Sequence, residues 1–524
     1  MTRKKLPIGI QTFREIREEN YYYVDKTAFA HKLATEGKYY FLSRPRRFGK
    51  SLFLDTLAEL FAGNEPLFHG LYCHNQWDWS IKYPVIRISF AEGRLSAANG
   101  LEEHIQANLS DNAERLGVDI DQPPRDTHLR FSQLIQRVVT KTGRRAVVLV
   151  DEYDKPILDN LTEPDIARAM REGLRNLYSV IKGQDAHIKF AFLTGVSKFS
   201  KVSIFSGLNN LNDITVDAAY SALCGYTDND VDTVFTPELA GLDRQQIRDW
   251  YNGYNWTGEA VYNPFDLLLL FDKHEFRPYW FETGTPTFLI DVMMRRGYFT
   301  PSLACQHSSL ELLSAFDVDH MEPAALLFQT GYTTIHDVEE YLPGQHLYRL
   351  GYPNKEVQTS LNNALLPALG IDGQQALTQR MNLLALLRTN NFAGMRLLFE
   401  SFFASIPHDW YRNNPIAQYE GYFASVFYSH FAALGLDIVL EDATNHGRID
   451  MAVKFNNNVY LFEFKVIELT PAGNAMAQLQ TKNYAEKYRA LQLPIHLIGV
   501  EFSKNQRNIV EFAVVSMLPS GAHA

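Results

Sequence analysis

Arg448-Ile449-Asp450 and Val459-Tyr460-Leu461-Phe462-Glu463-Phe464-Lys465, joined across Asn456-Asn457-Asn458, decide how this chain reads. The two runs have the make-up of short strands with a turn between them. Val459 to Phe462 is apolar and β-prone, which marks the second strand as buried. Glu463 and Lys465 stand at i and i+2 on it, so their side chains share a face. Asp450, on the preceding strand, reaches that face. Two carboxylates and an ammonium thus converge on one edge of a small sheet. Carboxylate pairs suit Mg²⁺ (or Mn²⁺), which takes oxygen ligands and keeps several waters. A lysine beside them can orient or deprotonate the water that attacks a phosphodiester. The bland alternative is a strand-surface ion pair, worth little. A bare Glu-x-Lys favours that alternative; Asp450 and the buried strand argue against it.

This set resembles the PD-(D/E)xK nuclease superfamily, whose core signature is Asp, a spacer, then Glu-x-Lys. Ile449 stands where the Pro of the name would be. The resemblance implies a metal-dependent nuclease in which Asp450 and Glu463 hold the ion and Lys465 serves the water. It also implies an upstream acidic ligand, matched by Glu420 in Tyr419-Glu420-Gly421-Tyr422, and a Gln on the following helix. Gln478 fits that place, with Gln480 and Tyr484 as rivals.

Around these residues the order is helix (Glu420 to Leu434), the Asp450 and Glu463 strands, a helix near Ala475–Leu491 and a strand at Ile495–Val500. Matched to the α-β-β-β-α-β order that the nuclease core needs, these elements place a nuclease-like unit at 405–524. Nine Lys/Arg against eleven Asp/Glu in that range give no strong nonspecific grip on DNA. Metal has to neutralise part of the carboxylate cluster before a phosphate approaches.

At the other end, Tyr39-Tyr40-Phe41-Leu42 reads as a short strand, followed by Ser43-Arg44-Pro45-Arg46-Arg47-Phe48-Gly49-Lys50-Ser51 and an apolar-faced helix. Strand, turn, Gly-Lys-Ser and helix is the context of a P-loop. Its backbone N–H groups and helix N-terminus cradle phosphates, so Arg46, Arg47, Phe48, Gly49, Lys50 and Ser51 are candidate ATP contacts. Lys50 would reach the β/γ-phosphates and Ser51 would hold Mg²⁺. Arg44 stands where the pattern begins with Gly. The strand Ala146–Val150 ending in Asp151-Glu152 matches a Walker B pattern, with Asp151 toward Mg²⁺ and Glu152 polarising water; alone it reads equally as a buried strand with an acidic turn. Ile188–Gly195 is a further strand, with Thr194 at the position that senses the γ-phosphate in ATPases. With Val85–Phe90, these strands alternate with helical stretches, which specifies a parallel, doubly wound sheet with its ligand at the strand C-termini.

Asn20 to Thr27, Arg44 to Ser51, Asp151 to Asp154, Phe281 to Pro286 and Gly351 to Val357 together look like the bacterial AAA-ATPase-like family, in which the ATPase-like region precedes a C-terminal PD-(D/E)xK domain. In that family Arg stands at the first P-loop position. The resemblance carries expectations of ATP binding, of assembly into homo-oligomers, and of a role with mobile or foreign DNA.

The remaining chain is less specific. Thr227 reads as a helix N-cap. Asp249 to Trp256 is aromatic and turn-rich, and reads as an exposed hairpin packed on a core in preference to a base-stacking surface. Residues 220–400 read as mostly helical, with Leu383 to Phe403 one apolar helical stretch. The whole is therefore expected as α/β: an ATPase-like domain (1–220), a helical lid and connector (221–404) and a nuclease-like domain (405–524). No apolar run approaches the about 20 residues of a membrane span. Cys73, Cys224 and Cys305 are scattered and odd in number, which points to a reducing cytoplasm and not to zinc or disulfides. Net charge is -10, yet residues 1–50 hold twelve Lys/Arg against five Asp/Glu, a basic front end suited to phosphate. The leading reading is an ATP-binding, Mg²⁺-dependent nuclease on DNA. RNA as the polymer, and a nucleotide-dependent switch or scaffold that only binds nucleic acid or protein, stay open.

Overall fold

The computed structural model describes residues 3–93, 95, 98–120, 126–198, 208, 210–283, 287–296, 298–313, 322–370, 373–406, 421–444, 447–468 and 475–518. The chain folds as two units. One holds Met1–Thr283 and His307–Arg349; the other holds Gly284–Gln306 and Leu350–Ala524. The chain therefore passes between them three times, and the stretch 221–404 is shared between the two.

The first unit is built on β1 (Tyr39–Ser43), β2 (Val85–Ser89), β3 (Ala146–Asp151), β4 (Ile188–Gly195) and β5 (Asn212–Asp213), in the order β2-β3-β4-β1-β5 with every pairing parallel. Every residue of β1 and of β3 is buried. Strands covered on both faces need such continuous apolar runs, which is why they carry no polar alternation. The helices Lys50–Phe61, Thr127–Thr142 and Pro164–Gly183 each bury an apolar stripe between strands. β4 lies between β1 and β3, with Leu42 beside Thr194 and Val150 beside Leu193. The loop after β1 and the acidic end of β3 thus flank Thr194.

Thr227 caps Asp228–Val234 in a capping box with Asp230. The 249–256 stretch departs from its expected form. Arg244–Tyr251 is helical, and Tyr251, Tyr254 and Trp256 are buried, so no exposed hairpin forms. Trp256 is held under a buried cation, a partner no local pattern announces. Another departure is β6 (Gln306–Ser308), β7 (Thr334–Leu342) and β8 (Gln345–Gly351), a small sheet in the order β6-β8-β7 where helix was expected. The turn Pro343-Gly344, with Gly344 at φ +76°, closes the β7–β8 hairpin.

The second unit carries β9 (Asp437–Thr444), β10 (Gly447–Phe455), β11 (Asn458–Val466), β12 (Ile495–Ser503) and β13 (Asn508–Met517), in the order β13-β12-β11-β10-β9. β11 and β12 are parallel; the other pairs are antiparallel. β13 completes the sheet beyond the expected strands. Helices Lys355–Ala368, Gly373–Arg388, Phe392–Ser405 and Tyr422–Ala432 share one core with the sheet, where Phe399, Phe403, Phe427 and Phe431 meet Met451 and Phe462. The apolar stretch 383–403 is two helices, not one. Asn390 sits at φ +50°, and Asn391 accepts from Gly394 N to start the second helix. The expected helix at 475–491 likewise divides at Asn483, φ +46°, into Ala475–Thr481 and a 3₁₀ stretch Tyr484–Leu491.

Candidate functional site

In the second unit, β10 and β11 run antiparallel with Met451 opposite Phe462. The paired register ends there, and one residue on, Asp450 and Glu463 are near enough for the Asp450 charge to act on Glu463. Asp450 turns its carboxylate across the strands, and Oδ2 accepts from Phe464 N at 2.7 Å. That bond pins Asp450 to the backbone between Glu463 and Lys465. The Lys465 ammonium lies 3.9 Å from Glu463 Oε1. Glu463 is 2% exposed, and its Oε2 has no hydrogen-bond partner among the described residues.

Gln478 reaches the cluster because its helix is seated directly on the sheet. Glu463 pairs with Gly499 on β12, where a Cβ would stand 2.6 Å from Met476 N. Glu501, paired with Lys465, accepts from Ala475 N at 2.9 Å through Oε1. The helix N-terminus is thereby held on the strand. One turn on, Gln478 Nε2 donates to Glu463 Oε1. The Tyr484 hydroxyl in turn bonds the Gln478 side chain.

Burial raises the carboxyls of both Asp450 and Glu463, their mutual repulsion adds to the rise at Glu463, and Lys465 opposes it. Glu441 on β9 adds a further negative charge felt by both. It lies between Leu440 and Asp442, which pair with Met451 and Ile449 on either side of Asp450, at φ +47°. Sequence reasoning passed over it because it lies outside the Asp, Glu-x-Lys spacing. Glu420 lies outside the described residues. Among the described residues no group of three or more His, Cys, Asp or Glu forms a closed metal cage. A buried carboxylate pair with one unpartnered oxygen nevertheless fits a divalent cation that keeps part of its water shell.

In the first unit, Gly49 (φ +87°) precedes the helix Lys50–Phe61, and a cavity of about 510 Å³ is lined by Arg46, Arg47, Phe48, Gly49, Lys50 and Ser51. Glu152 lines it too, at φ +50°. Lys50 Nζ donates to the carbonyls of Arg44 (3.0 Å) and Pro45 (2.9 Å). Burial lowers its pKa, against the pull of Asp151 and Glu152, and burial raises that of Glu152. A buried ammonium held by two carbonyls, at a helix N-terminus and lining a cavity, suits a phosphate. Asp151 Oδ1 accepts from Glu152 N at 3.0 Å. Thr194 is fully buried, and its hydroxyl has no partner among the described residues. Arg47 lies 4.8 Å over the Phe265 ring. Phe48 packs edge-on to Tyr254 and Trp256, so only its backbone is available to a ligand.

Arg44 points away from the cavity. It is fully buried and donates to the carbonyls of Ser43 (2.9 Å), Thr215 (2.8 Å) and Tyr220 (3.1 Å). Its guanidinium lies 3.9 Å from the Trp256 ring centre. The residue at the first P-loop position is therefore an anchor of the loop and leaves the phosphate cradle free.

Family comparison agrees with both units. Residues 7–205 match a family described as "Predicted AAA-ATPase", and residues 418–512 match the PD-(D/E)XK nuclease superfamily. A protein of Azotobacter chroococcum mcd 1, described as "Uncharacterized protein in vnfD 5'region", is 64% identical over 518 residues, covering 99% of this chain and 100% of the relative. No solved structure matches the chain. The chain belongs to the AAA-ATPase-like family, with an ATPase-like region followed by a C-terminal PD-(D/E)XK nuclease superfamily domain.

Proposed function

We propose that this protein is a divalent-metal-dependent nuclease acting on DNA phosphodiesters, with a nucleotide-binding unit that holds Mg-ATP and gates cleavage. The observation that carries the nuclease reading is Glu463 Oε2, a buried carboxylate oxygen with no partner among the described residues, on a side chain that feels the charge of Asp450 and is flanked by Lys465. Such an atom costs stability unless a ligand meets it. Asp450 and Glu463 would hold Mg²⁺ or Mn²⁺, with Glu420 as the candidate third acid. When bound, the ion supplies charge against the phosphate oxygens.

The chain's own residues do the rest. Phe464 N–H fixes one Asp450 oxygen and leaves the other for a ligand. Gln478 donates to Glu463 Oε1 and leaves Oε2 for a ligand. Lys465, 19% exposed at its side chain, is placed to hold the attacking water and to take or give its proton. In the first unit, Lys50 and Ser51 would meet the phosphates and their Mg²⁺, Asp151 would support that ion, Thr194 would sense the γ-phosphate and Glu152 would orient water. The setting we propose, handling of mobile or foreign DNA, is supported by family likeness alone.

The test is cleavage of linear and circular DNA with Mg²⁺ or Mn²⁺, with and without ATP, using wild type, Lys465→Ala, Glu463→Gln and Lys50→Ala. Wild type should cut, the first two variants should lose about 100-fold or more, and Lys50→Ala should cut without responding to ATP. No cleavage of DNA by wild type under any of these conditions overturns the reading; cleavage of RNA instead would keep the site and change the substrate.

A further inference from the structure

The chain leaves the first unit after Thr283, returns at His307 and leaves again after Arg349. We propose that the returning segment, in its described residues 322–349 together with Trp280, reads the nucleotide site and transmits its state to the second unit. The inference rests on the ATP-binding reading above.

The returning segment packs on the phosphate loop, on the residues after β4 and on the turn beside Trp256. Gly331, which ends the helix Pro323–Thr330 at φ +91°, lies against the phosphate loop so closely that a Cβ there would stand 2.7 Å from Pro45 Cγ. Gln329, on the same helix, accepts from Lys198 N at 2.9 Å through Oε1. Lys198 follows the end of β4, the strand that carries Thr194. Thr334 Oγ1 accepts from Asn255 N at 2.7 Å, next to the Trp256 that stacks on Arg44. Trp280 closes the set: its Nε1 donates to Arg46 O at 3.1 Å, and its ring meets Tyr332 at 5.3 Å.

These contacts leave little slack. Lys50 spends two of its three N–H donors on the carbonyls of Arg44 and Pro45, so a phosphate that takes the third and draws the ammonium pulls on those carbonyls. Those carbonyls belong to the two peptides beside the Gly331 and Trp280 contacts. A movement of Pro45 toward Gly331 is resisted by packed atoms, and a turn of the Arg46 peptide breaks the Trp280 bond. Nucleotide, Trp280 and the helix end at Gly331 therefore act on the same stretch of backbone, and a loop shift on binding would change the contacts of both, which is the differential interaction that coupling requires. Both ends of the device lead out of the unit: Thr283, which lines the nucleotide cavity, precedes one crossing, and β8 runs through another.

The test is hydrogen exchange on the full chain with and without Mg-ATP, followed by two variants away from the ligand contacts, Gln329→Leu and Thr334→Val. ATP should change exchange in 44–52 and also in 323–336. The ATP effect on DNA cleavage, as a ratio of rates, should fall about fivefold or more in both variants while 44–52 still responds. If 44–52 responds and 323–336 does not, nucleotide binds and this inference alone fails. It fails equally if the variants keep the full ATP effect. If 44–52 does not respond, the nucleotide-site reading is lost and this inference with it.

Discussion

Arg44 occupies the position where a P-loop starts with glycine, yet its guanidinium holds three carbonyls and lies on Trp256. Burial lowers its pKa to about 10, so it stays charged at neutral pH and needs those acceptors. Restoring the consensus would therefore harm the protein. Arg44→Gly removes charge-assisted bonds and leaves the Thr215 and Tyr220 carbonyls buried and unmet, a loss of at least about 3 kcal/mol. Urea unfolding should show it, with ATP affinity unimproved. A second single-residue effect concerns His430, 1% exposed with Nε2 unpartnered among the described residues. Burial lowers its pKa from the ordinary range to about 4. The unfolded chain then binds the proton more readily, so stability is complete above pH 6.5 and declines as pH falls toward 4. The loss reaches about 2 kcal/mol by pH 5. His430→Leu should lose that much less than wild type between pH 7.5 and 5; equal losses would remove the assignment. Of these features the sequence announced only the Gly-Lys-Ser and the Arg that precedes it. The direction of Arg44 depends on Trp256 and on the 215–220 backbone, partners far along the chain that no local pattern connects. Asp450, Glu463 and Lys465, by contrast, were legible because a strand's two-residue period fixes which side chains share a face.

At the scale of elements, the helix Ala475–Thr481 is too short to be stable alone and owes its position to the sheet. Gly499 admits its first turn, and Glu501 takes the Ala475 N–H. Gln478 was readable as a site residue only through family likeness. Its orientation follows from Gly499, which in sequence is simply a glycine within an apolar strand. Gly499→Ala would drive a methyl into the Met476 amide, and the helix must lift. A shift of this order at a positioning group costs about 100-fold in rate. The expected result is that DNA cleavage falls by that factor in Gly499→Ala and hardly further when Gln478→Ala is added, since both remove one interaction. Additive losses would show that Gly499 acts elsewhere. The breaks at Asn390 and Asn483 escaped the sequence reading for a related reason: apolar periodicity continues through both, while a left-handed asparagine ends the helix locally.

For the molecule as a whole, charge decides how nucleic acid is held. Net charge is -10, and 405–524 carries nine Lys/Arg against eleven Asp/Glu. Asp450, Glu463 and Glu441 add mutual repulsion at the site itself. A DNA phosphate approaching this face without a cation meets net negative charge, so the usual gain from counterion release is small. A divalent ion reverses the local sign. Binding should therefore be conditional on the ion, and the dependence should reside in two side chains. In fluorescence anisotropy with labelled duplex, Ca²⁺ should tighten binding about tenfold or more over EDTA, a difference of about 1.4 kcal/mol. Asp450→Asn should bind in EDTA at least as well as wild type, having lost repulsive charge, and Glu463→Gln about as well, since burial and Asp450 raise that carboxyl to about 8; both should gain little from Ca²⁺. Tight binding in EDTA, unaffected by these substitutions, would place the DNA contact on another surface, with the basic first fifty residues the place to look. A preference for RNA in the same assay would keep the cation argument and change the polymer.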